Sequence, residues 1–241
     1  MRLLITRPQP DADEIAAELT QRGHQCLVTP VLEIVTYPTD LNFDGVHGLL
    51  VTSRNGIRGL VAASERRDIP VLAVGPGTEE AAAAAGFVTL AGSGNVTGLD
   101  ALVRATVKPD AGTLLWITGK HVRGDLRADL RAAGYDVVRH VLYDAQMVSE
   151  IPSACAAALR ANEIDGALFF SPRTAQTFVR ILTMAGLESA ARSVTAFCLS
   201  PAIAAALGGL PWREVAIAGR TDRDALLDLV SQNGTMMDHA G

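Results

Sequence analysis

Short apolar runs alternate with longer amphipathic stretches along this chain. The run Leu3–Thr6 leads into a helical pattern over 11–22 that Gly23 ends, and Gly48–Val51 leads into one that Ser53 caps. Short apolar runs separated by helical stretches are typical of α/β proteins with parallel sheets. The predicted strands, each followed by a helix, are Leu3–Thr6, Gly48–Val51, Val71–Val74, Thr89–Ala91, Leu114–Thr118, Ala167–Phe170, Val194–Leu199 and Val215–Ala218.

Small polar residues and prolines predict where several helices begin. A serine followed by proline places an N-cap before a residue that suits the first helical position. A threonine with an acidic residue three positions later is typical of a capping box. The predicted starts of these two kinds are Ser171-Pro172, Ser200-Pro201, Thr97-x-x-Asp100 and Thr221-x-x-Asp224.

The second half of the chain repeats the first half in order and in residues. LLVTSRNG (49–56) parallels LFFSPRTA (168–175), and VGPGTEEAA (74–82) parallels LSPAIAAAL (199–207). A third pair, LAGSGNVTGLDALV (90–103) and IAGRTDRDALLDLV (217–230), follows in the same order. Such echoes arise in any doubly wound domain, or they mark two similar lobes. We expect two lobes, with the chain crossing between them at Ile34–Asp40 and Asp144–Pro152.

Composition and charge exclude several classes of protein. Of the 241 residues, 49% are hydrophobic and 20% are charged, which excludes a disordered or fibrous chain. A net charge of −5 argues against general nucleic-acid binding, which needs concentrated positive charge. No apolar run approaches the ~20 residues that span a bilayer, so we expect a soluble, cytoplasmic protein without a membrane partner. Neither the cysteines (Cys26, Cys155, Cys198) nor the histidines have metal-site spacing, and we expect buried thiols and no metal.

Hydroxyl and basic side chains collect at the predicted carboxyl ends of the strands, where ligands bind in open parallel sheets. The segments concerned are Thr6-Arg7, Thr52–Asn55, Gly75–Thr78, Thr118–Lys120, Ser171–Thr174, Ser200-Pro201 and Gly219-Arg220. The hydroxyls have an alternative interpretation as N-caps. Capping does not explain the basic residues, because the helix dipole disfavours a cation at an N-terminus. A bound polyanion would offset that cost.

Familiar nucleotide and hydrolase motifs are missing from the sequence. The turn at Gly75 lacks the GxGxxG spacing, and neither GxxxxGK[ST] nor GxSxG occurs. Acid–base chemistry must therefore use less obvious groups. Tyr143 ends an apolar run just before a predicted crossing, where its phenol could face a ligand. A surface or packing role is the alternative for this tyrosine.

Taken together, these motifs resemble the uroporphyrinogen-III synthase family over nearly the whole chain. The matching segments are ITRP (5–8), TSRNG (52–56), AVGPGT (73–78), ITG (117–119), VLY (141–143), FFSPRTA (169–175) and SPAIAAAL (200–207). The resemblance implies a hydro-lyase that cyclises hydroxymethylbilane, a linear tetrapyrrole with eight carboxylates, to uroporphyrinogen III with ring D inverted. It also implies no metal or organic cofactor and no nucleic-acid partner. We expect a monomer that acts on this small-molecule substrate.

The resemblance also implies a fold and a mechanism. The fold is two flavodoxin-like α/β lobes with parallel sheets, joined by a two-stranded β-ladder. In this family the first βα unit packs with the C-terminal half, so we expect one lobe at 1–36 plus 146–241 and the other at 40–143. The mechanism begins when the ring A hydroxyl leaves as water. Ring D then attacks the resulting azafulvene, and the spiro-pyrrolenine that forms recloses with ring D reversed.

The resemblance assigns roles to particular residues. Tyr143 stands at the family's crossover tyrosine and is the candidate proton donor for the loss of water. The residues that match family positions lining the substrate site are Thr52, Ser53, Thr78, Thr118, Gly119 and Ser171. Position and charge add Arg7, Arg54, Lys120, Arg123 and Arg173 as further candidates for substrate binding.

The second-lobe turn departs from the family pattern. Ser200 stands where many relatives have glycine, and Ile203 stands where they have threonine. We keep Ser200 as a substrate-binding candidate and expect the C-terminal lobe to bind differently. We also expect the hydroxyl of Thr78 to matter for activity, and the change of Ile203 to threonine to cost little. A rival interpretation is a non-catalytic two-lobe anion- or sugar-binding module, which gives Tyr143 no role.

Overall fold

Strands and helices alternate along the chain in the computed structural model, which describes residues 1–122 and 124–238. The strands are β1 Arg2–Ile5, β2 Gln25–Val28, β3 Leu32–Thr36, β4 Val46–Val51, β5 Val71–Ala73, β6 Thr89–Ala91, β7 Thr113–Gly119, β8 Val137–Met147, β9 Gly166–Phe169, β10 Thr195–Cys198 and β11 Glu214–Ile217. The helices are α1 Asp11–Gln21, α2 Arg54–Ala63, α3 Pro76–Ala84, α4 Val96–Thr106, α5 Leu126–Ala132, α6 Ser153–Arg160, α7 Pro172–Met184, α8 Pro201–Ala206 and α9 Arg223–Asp238. A 3₁₀ turn spans Glu188–Ser193. The predicted α/β class with parallel sheets is confirmed.

The chain divides into two compact units. The first unit combines Met1–Glu33 with the chain from Gln146 onward, and the second is the continuous segment Ile34–Ala145. The sheet of the first unit has the strand order β11-β10-β9-β1-β2, with each neighbouring pair parallel. The N-terminal strand therefore lies inside a sheet whose other members come mostly from the far end of the chain.

In the first sheet, β1 lies between β9 and the edge strand β2. Leu3, Leu4 and Ile5 are fully buried, because helices cover both faces of the strand. One face packs Leu3 and Ile5 against α1 and against Leu226 and Leu227 of α9. A run of consecutive apolar residues is the sequence signature of such a doubly covered strand.

The second sheet has the strand order β3-β8-β7-β4-β5-β6. Alternate residues of its central strands face opposite cores, as the pleat requires. Leu49 and Val51 pack with α2 and α3, whereas Leu50 and Trp116 pack with α4 and α5. The register of β4 against β7 and of β7 against β8 is parallel, so the carboxyl ends of β4 and β7 lie at one edge of the sheet, beside Tyr143 of β8.

The predicted helix starts are partly correct. The hydroxyls of Ser53 and Ser171 accept hydrogen bonds from Gly56 N (3.0 Å) and Thr174 N (3.1 Å) and cap α2 and α7. The Ser200 hydroxyl makes no such cap bond within the described part of the chain, although the backbone of Ser200 takes the N-cap position of α8.

Both predicted capping boxes are wrong in position. Asn95 caps α4 by accepting from Gly98 N at 2.8 Å, which places Thr97 inside the helix. Asp222 accepts from Ala225 N at 2.9 Å at the start of α9. In both cases an amide or carboxylate side chain near the predicted threonine bonds to the free N–H groups of the first turn, and such side chains are strong caps.

The cysteines lie in the first unit. Burial raises the pKa of Cys155 to about 11 and that of Cys198 to about 12, as expected for thiols enclosed by apolar side chains. Burial also raises the pKa of the half-buried Cys26 thiol. Among the described helices, none has the length and apolar character needed to cross a bilayer.

A candidate active site at the strand ends of the second unit

A pocket of about 210 Å³ opens in the second unit where β4 and β7 end and where Tyr143 of β8 pairs with Gly119. Its polar lining includes the side chains of Thr52, Ser53, His121 and Tyr143. The remaining lining residues are Val96, Trp116, Gly119 and Val122. Four predicted site residues (Thr52, Ser53, Gly119 and Tyr143) thus meet in one place, as expected of parallel strands whose carboxyl ends share an edge.

Tyr143 and Ser53 form the polar centre of the pocket. The Tyr143 hydroxyl lies 2.8 Å from Ser53 Oγ, within hydrogen-bond distance. Ser53 Oγ also accepts from Gly56 N in the first turn of α2. The serine that caps the helix is therefore also the partner of the phenol, and its role in substrate binding stays a prediction. The positive end of the α2 dipole lies next to the pair.

A β-bulge sets the direction of the Tyr143 side chain. Along β8, Val141 pairs with Thr118 and Tyr143 pairs with Gly119, so Leu142 is the extra residue between them. Leu142 is fully buried in the core that packs against α2 and α3. Bulges commonly redirect side chains in this way. Tyr143 is consequently placed at the pocket, directly over Gly119.

Gly119 is required by the close approach of the phenol ring. A Cβ atom at this position would lie 2.7 Å from two carbons of the Tyr143 ring and 3.0 Å from its hydroxyl oxygen. No side chain fits there unless the ring moves. The absence of a side chain at Gly119 therefore allows the Tyr143 ring to lie against its backbone.

The turn that carries Thr118, Gly119 and Lys120 is held by Arg139, a residue that the sequence analysis missed. Arg139 donates to Thr118 Oγ1, to Gly119 O and to Lys120 O, each at 3.0 Å. Its guanidinium carbon lies 5.5 Å from the centre of the Trp116 ring. Thr118 is fully buried, and its hydroxyl takes part in the hydrogen bonds that fix this turn.

A buried carboxylate lies beside the same turn. Asp144 is 4% exposed, and its Oδ2 lies 3.6 Å from the Lys120 ammonium and 3.4 Å from the Tyr37 hydroxyl. The Nε2 atom of His121 lies 3.6 Å from Asp144 Oδ1. Asp144 therefore holds the exposed Lys120 and His121 near the mouth of the pocket. Asp144 and His121 were not predicted as site residues, because nothing in the sequence links them.

Arg54 and Thr78 lie at neighbouring helix starts, outside the pocket lining. The Arg54 guanidinium donates to Gly77 O at 3.0 Å and lies 3.6 Å from Glu80, so it joins α2 to α3. Thr78 is 7% exposed in the first turn of α3. Arg123 falls outside the described residues.

The first unit carries the other predicted site residues at its own strand ends. Arg7 forms a 2.8 Å ion pair with Asp11 and lies over the ring of Phe170. Ser171 Oγ lies 2.8 Å from Thr174 Oγ1 in addition to capping α7. Arg173 follows in the first turn of α7, and Ser200 precedes α8. In residues 1–122 and 124–238, no group of three or more metal-ligating side chains is arranged to hold an ion.

Comparison with known proteins places this chain in a family. A family model described as uroporphyrinogen-III synthase HemD matches residues 13–228. Uroporphyrinogen-III synthetase from Helicobacter pylori has a similar fold, with a TM-score of 0.62 at 18% identity over 96% of this chain and 99% of that one. A mutant uroporphyrinogen III synthase from the extremely thermophilic bacterium Thermus thermophilus gives a TM-score of 0.59 at 18% identity over 99% of each chain. No curated protein matched. Since the family model covers most of its length, the chain belongs to the uroporphyrinogen-III synthase family.

Proposed function

We propose that this chain cyclises hydroxymethylbilane to uroporphyrinogen III, with inversion of ring D and loss of water, and that Tyr143 donates the proton for the loss of water. The observation that carries this proposal is the 2.8 Å contact of Tyr143 with Ser53 inside a pocket at the strand ends. Membership of the family implies the reaction. The contact with Ser53 positions the Tyr143 hydroxyl as a proton donor.

The hydrogen bonds around Ser53 support a direction of proton transfer. Ser53 Oγ accepts from Gly56 N, which leaves the serine hydroxyl proton available for Tyr143. When Ser53 donates to the phenol oxygen, the phenol proton is free to protonate the leaving hydroxyl of ring A. The phenolate that results is stabilised by the serine hydroxyl and by the α2 N-terminus. Cyclisation later releases a proton, which returns to Tyr143.

The size of the pocket supports binding of one part of the substrate there and of the other parts elsewhere. Pockets that enclose a whole drug-sized ligand measure ~300–1,000 Å³. At about 210 Å³, this pocket accommodates one pyrrole ring rather than a tetrapyrrole. The carboxylates of the other rings then need sites elsewhere on the protein. The residues proposed for substrate binding are Thr52, Ser53, Arg54, Thr78, Thr118, Gly119, Lys120 and Arg123, with Arg7, Ser171, Arg173 and Ser200 of the first unit.

We also propose the family's domain organisation for this chain, with lobes at 1–36 plus 146–241 and at 40–143. The order of the first sheet, β2-β1-β9-β10-β11, supports a flavodoxin-like lobe. The second sheet has a different order, with β4 between β5 and β7, so its flavodoxin-like character rests on the family resemblance. Hydrogen bonds from Val148 N to Val31 O and from Tyr37 N to Leu142 O support an antiparallel β3–β8 ladder.

The test is incubation with freshly prepared hydroxymethylbilane, followed by oxidation and separation of the porphyrin isomers. Spontaneous closure gives the isomer without inversion, so we expect isomer III in excess over a heat-inactivated control. The rate should saturate with substrate. A chain that binds the bilane while leaving the isomer ratio of the control unchanged would instead be a binding module, and the proposal would be wrong.

A further inference from the structure

The Arg139 guanidinium occupies a slot with polar edges and an aromatic face. Its Nε donates to Thr118 Oγ1, and its Nη2 donates to the carbonyl oxygens of Gly119 and Lys120. Thr118 in turn donates to His140 O at 3.4 Å. Trp116, 2% exposed, lies against one face of the guanidinium. The guanidinium reaches these acceptors through two nitrogens held in one rigid plane, an arrangement that the single ammonium nitrogen of lysine does not reproduce.

The turn held by Arg139 is fixed from the other side by Tyr143. Lys120 N donates to the backbone oxygen of Tyr143 at 2.9 Å, and the phenol ring lies on Gly119. The backbone of residues 119–120 is therefore enclosed between the Arg139 guanidinium and the Tyr143 ring. A shift of this turn would move the surface on which the ring rests.

Most of the β7–β8 ladder precedes the turn that this guanidinium holds. The β7 and β8 strands already pair in parallel from Leu114 and Val137 to the bulge. Arg139 adds order at the end of that ladder, where the pairing shifts register and the pocket begins. Removing the side chain should therefore loosen the end of the sheet and leave the rest paired.

We infer that Arg139 is a positioning residue for the reaction: it fixes the Gly119–Lys120 backbone and thereby keeps the Tyr143 hydroxyl against Ser53. This inference rests on the proposed function. It predicts that Arg139 acts on the chemical step and not on substrate affinity, because Arg139 is not among the residues that line the pocket.

The test compares Arg139→Ala, Arg139→Lys and the control Arg127→Ala, whose arginine is exposed on α5. Displacing a reacting group by about 1 Å can cost ~10²-fold in rate. We expect kcat to fall roughly 10- to 10²-fold in both Arg139 variants with KM unchanged, and to be unaffected in the control. Low millimolar guanidinium chloride should restore kcat in Arg139→Ala by filling the vacated slot. It should not restore kcat in Tyr143→Phe.

A second readout does not depend on activity. Guanidinium that enters the slot lies against Trp116, one of two tryptophans in the chain, so the fluorescence of Arg139→Ala should change saturably with added guanidinium. The wild-type protein should show no such saturation. If Arg139→Ala does not fold, the changes of kcat and KM in Arg139→Lys test the inference.

Several outcomes would overturn the inference. A raised KM with unchanged kcat would mean that Arg139 binds substrate directly. A lower melting temperature with wild-type kcat would mean that Arg139 has only a structural role. A loss of kcat that guanidinium does not rescue would mean the same. If wild-type protein forms no isomer III, the proposed function itself fails and this inference with it. If the wild type is active and the Arg139 variants match it, this inference alone is wrong.

Discussion

The reactivity proposed for Tyr143 comes from its immediate neighbours. Ser53 binds its hydroxyl, Gly119 leaves room for its ring, and the bulge at Leu142 directs it into the pocket. In the sequence, Tyr143 is only an aromatic residue near a predicted crossing between the lobes. The contacts that distinguish it from a packing tyrosine join residues about 90 positions apart, which local patterns cannot reveal.

Replacing Tyr143 by phenylalanine should lower kcat by ~10²–10⁴-fold with little change in KM, because a positioned acid acts mainly in the step that expels water. Steady-state kinetics with isomer analysis measure both parameters. Tyr135→Phe is the matched control, since its hydroxyl bonds to Val107 O at 3.0 Å in the core of the same unit. That variant should lose about 1 kcal/mol of stability and keep its kcat. Full turnover in Tyr143→Phe would leave a bound water or a substrate carboxylic acid as the donor.

Thr78 and Ile203 occupy equivalent first turns of α3 and α8, and the structure changes one expectation about them. Ile203 is 2% exposed, so its replacement by threonine places a hydroxyl in an apolar site. We now expect Ile203→Thr to cost about 1–2 kcal/mol and lower the Tm, rather than to be tolerated.

Thr78→Ala should instead lower kcat/KM about tenfold, because the variant loses one hydrogen bond to a substrate carboxylate. The Tm should change little. The two variants are compared by kinetics and by thermal melting. Wild-type activity in Thr78→Ala would remove Thr78 from the substrate-binding residues.

Among the elements, the strands that appear as short apolar runs were predictable, including the edge strands β6 and β11, whereas β2, β3 and β8 were not. The strands β4 and β9 are buried along most of their length and appear as continuous apolar runs. The residues of β2 are exposed or half-buried, and β8 mixes buried, half-buried and exposed positions, so neither has a distinct pattern. Arg139 was missed for the same reason. An arginine in a mixed strand resembles a solvent-facing residue until its tertiary partners are known.

The corrected start of α4 gives a direct test at the level of the helix. Asn95→Ala removes the cap to Gly98 N and should destabilise the protein by about 1 kcal/mol. Thr97→Ala should be close to neutral, because Thr97 lies in the first turn of the helix and is exposed. Chemical denaturation of both variants measures the difference. A greater loss in Thr97→Ala would restore the capping box predicted from the sequence.

The molecule as a whole has one unit that is continuous in sequence and one that is not. A polypeptide of residues 34–145 contains strands β4–β7 and nearly all of β8 and should fold cooperatively by itself. A polypeptide of residues 146–241 lacks β1 and β2, which pair with β9 and with each other, and should not. Circular dichroism during heating distinguishes the two cases.

The matched control adds residues 1–33 to the second polypeptide as a separate peptide, which supplies the missing strands. Cooperative melting of residues 146–241 without that peptide would contradict the prediction.

The pairing of β1 with β9 also sets an order of events during protein synthesis. Leu3 pairs with Gly166, 163 residues further along the chain. At a translation rate of ~5–20 residues per second, β1 leaves the ribosome on the order of ten to thirty seconds before its partner exists. All of Ile34–Ala145 is made in that interval and can fold first. The apolar residues Leu3, Leu4 and Ile5 lack their β9 partner throughout. A nascent chain that stalls before β9 therefore exposes an aggregation-prone segment, and such a chain is a natural client for chaperones that act at the ribosome.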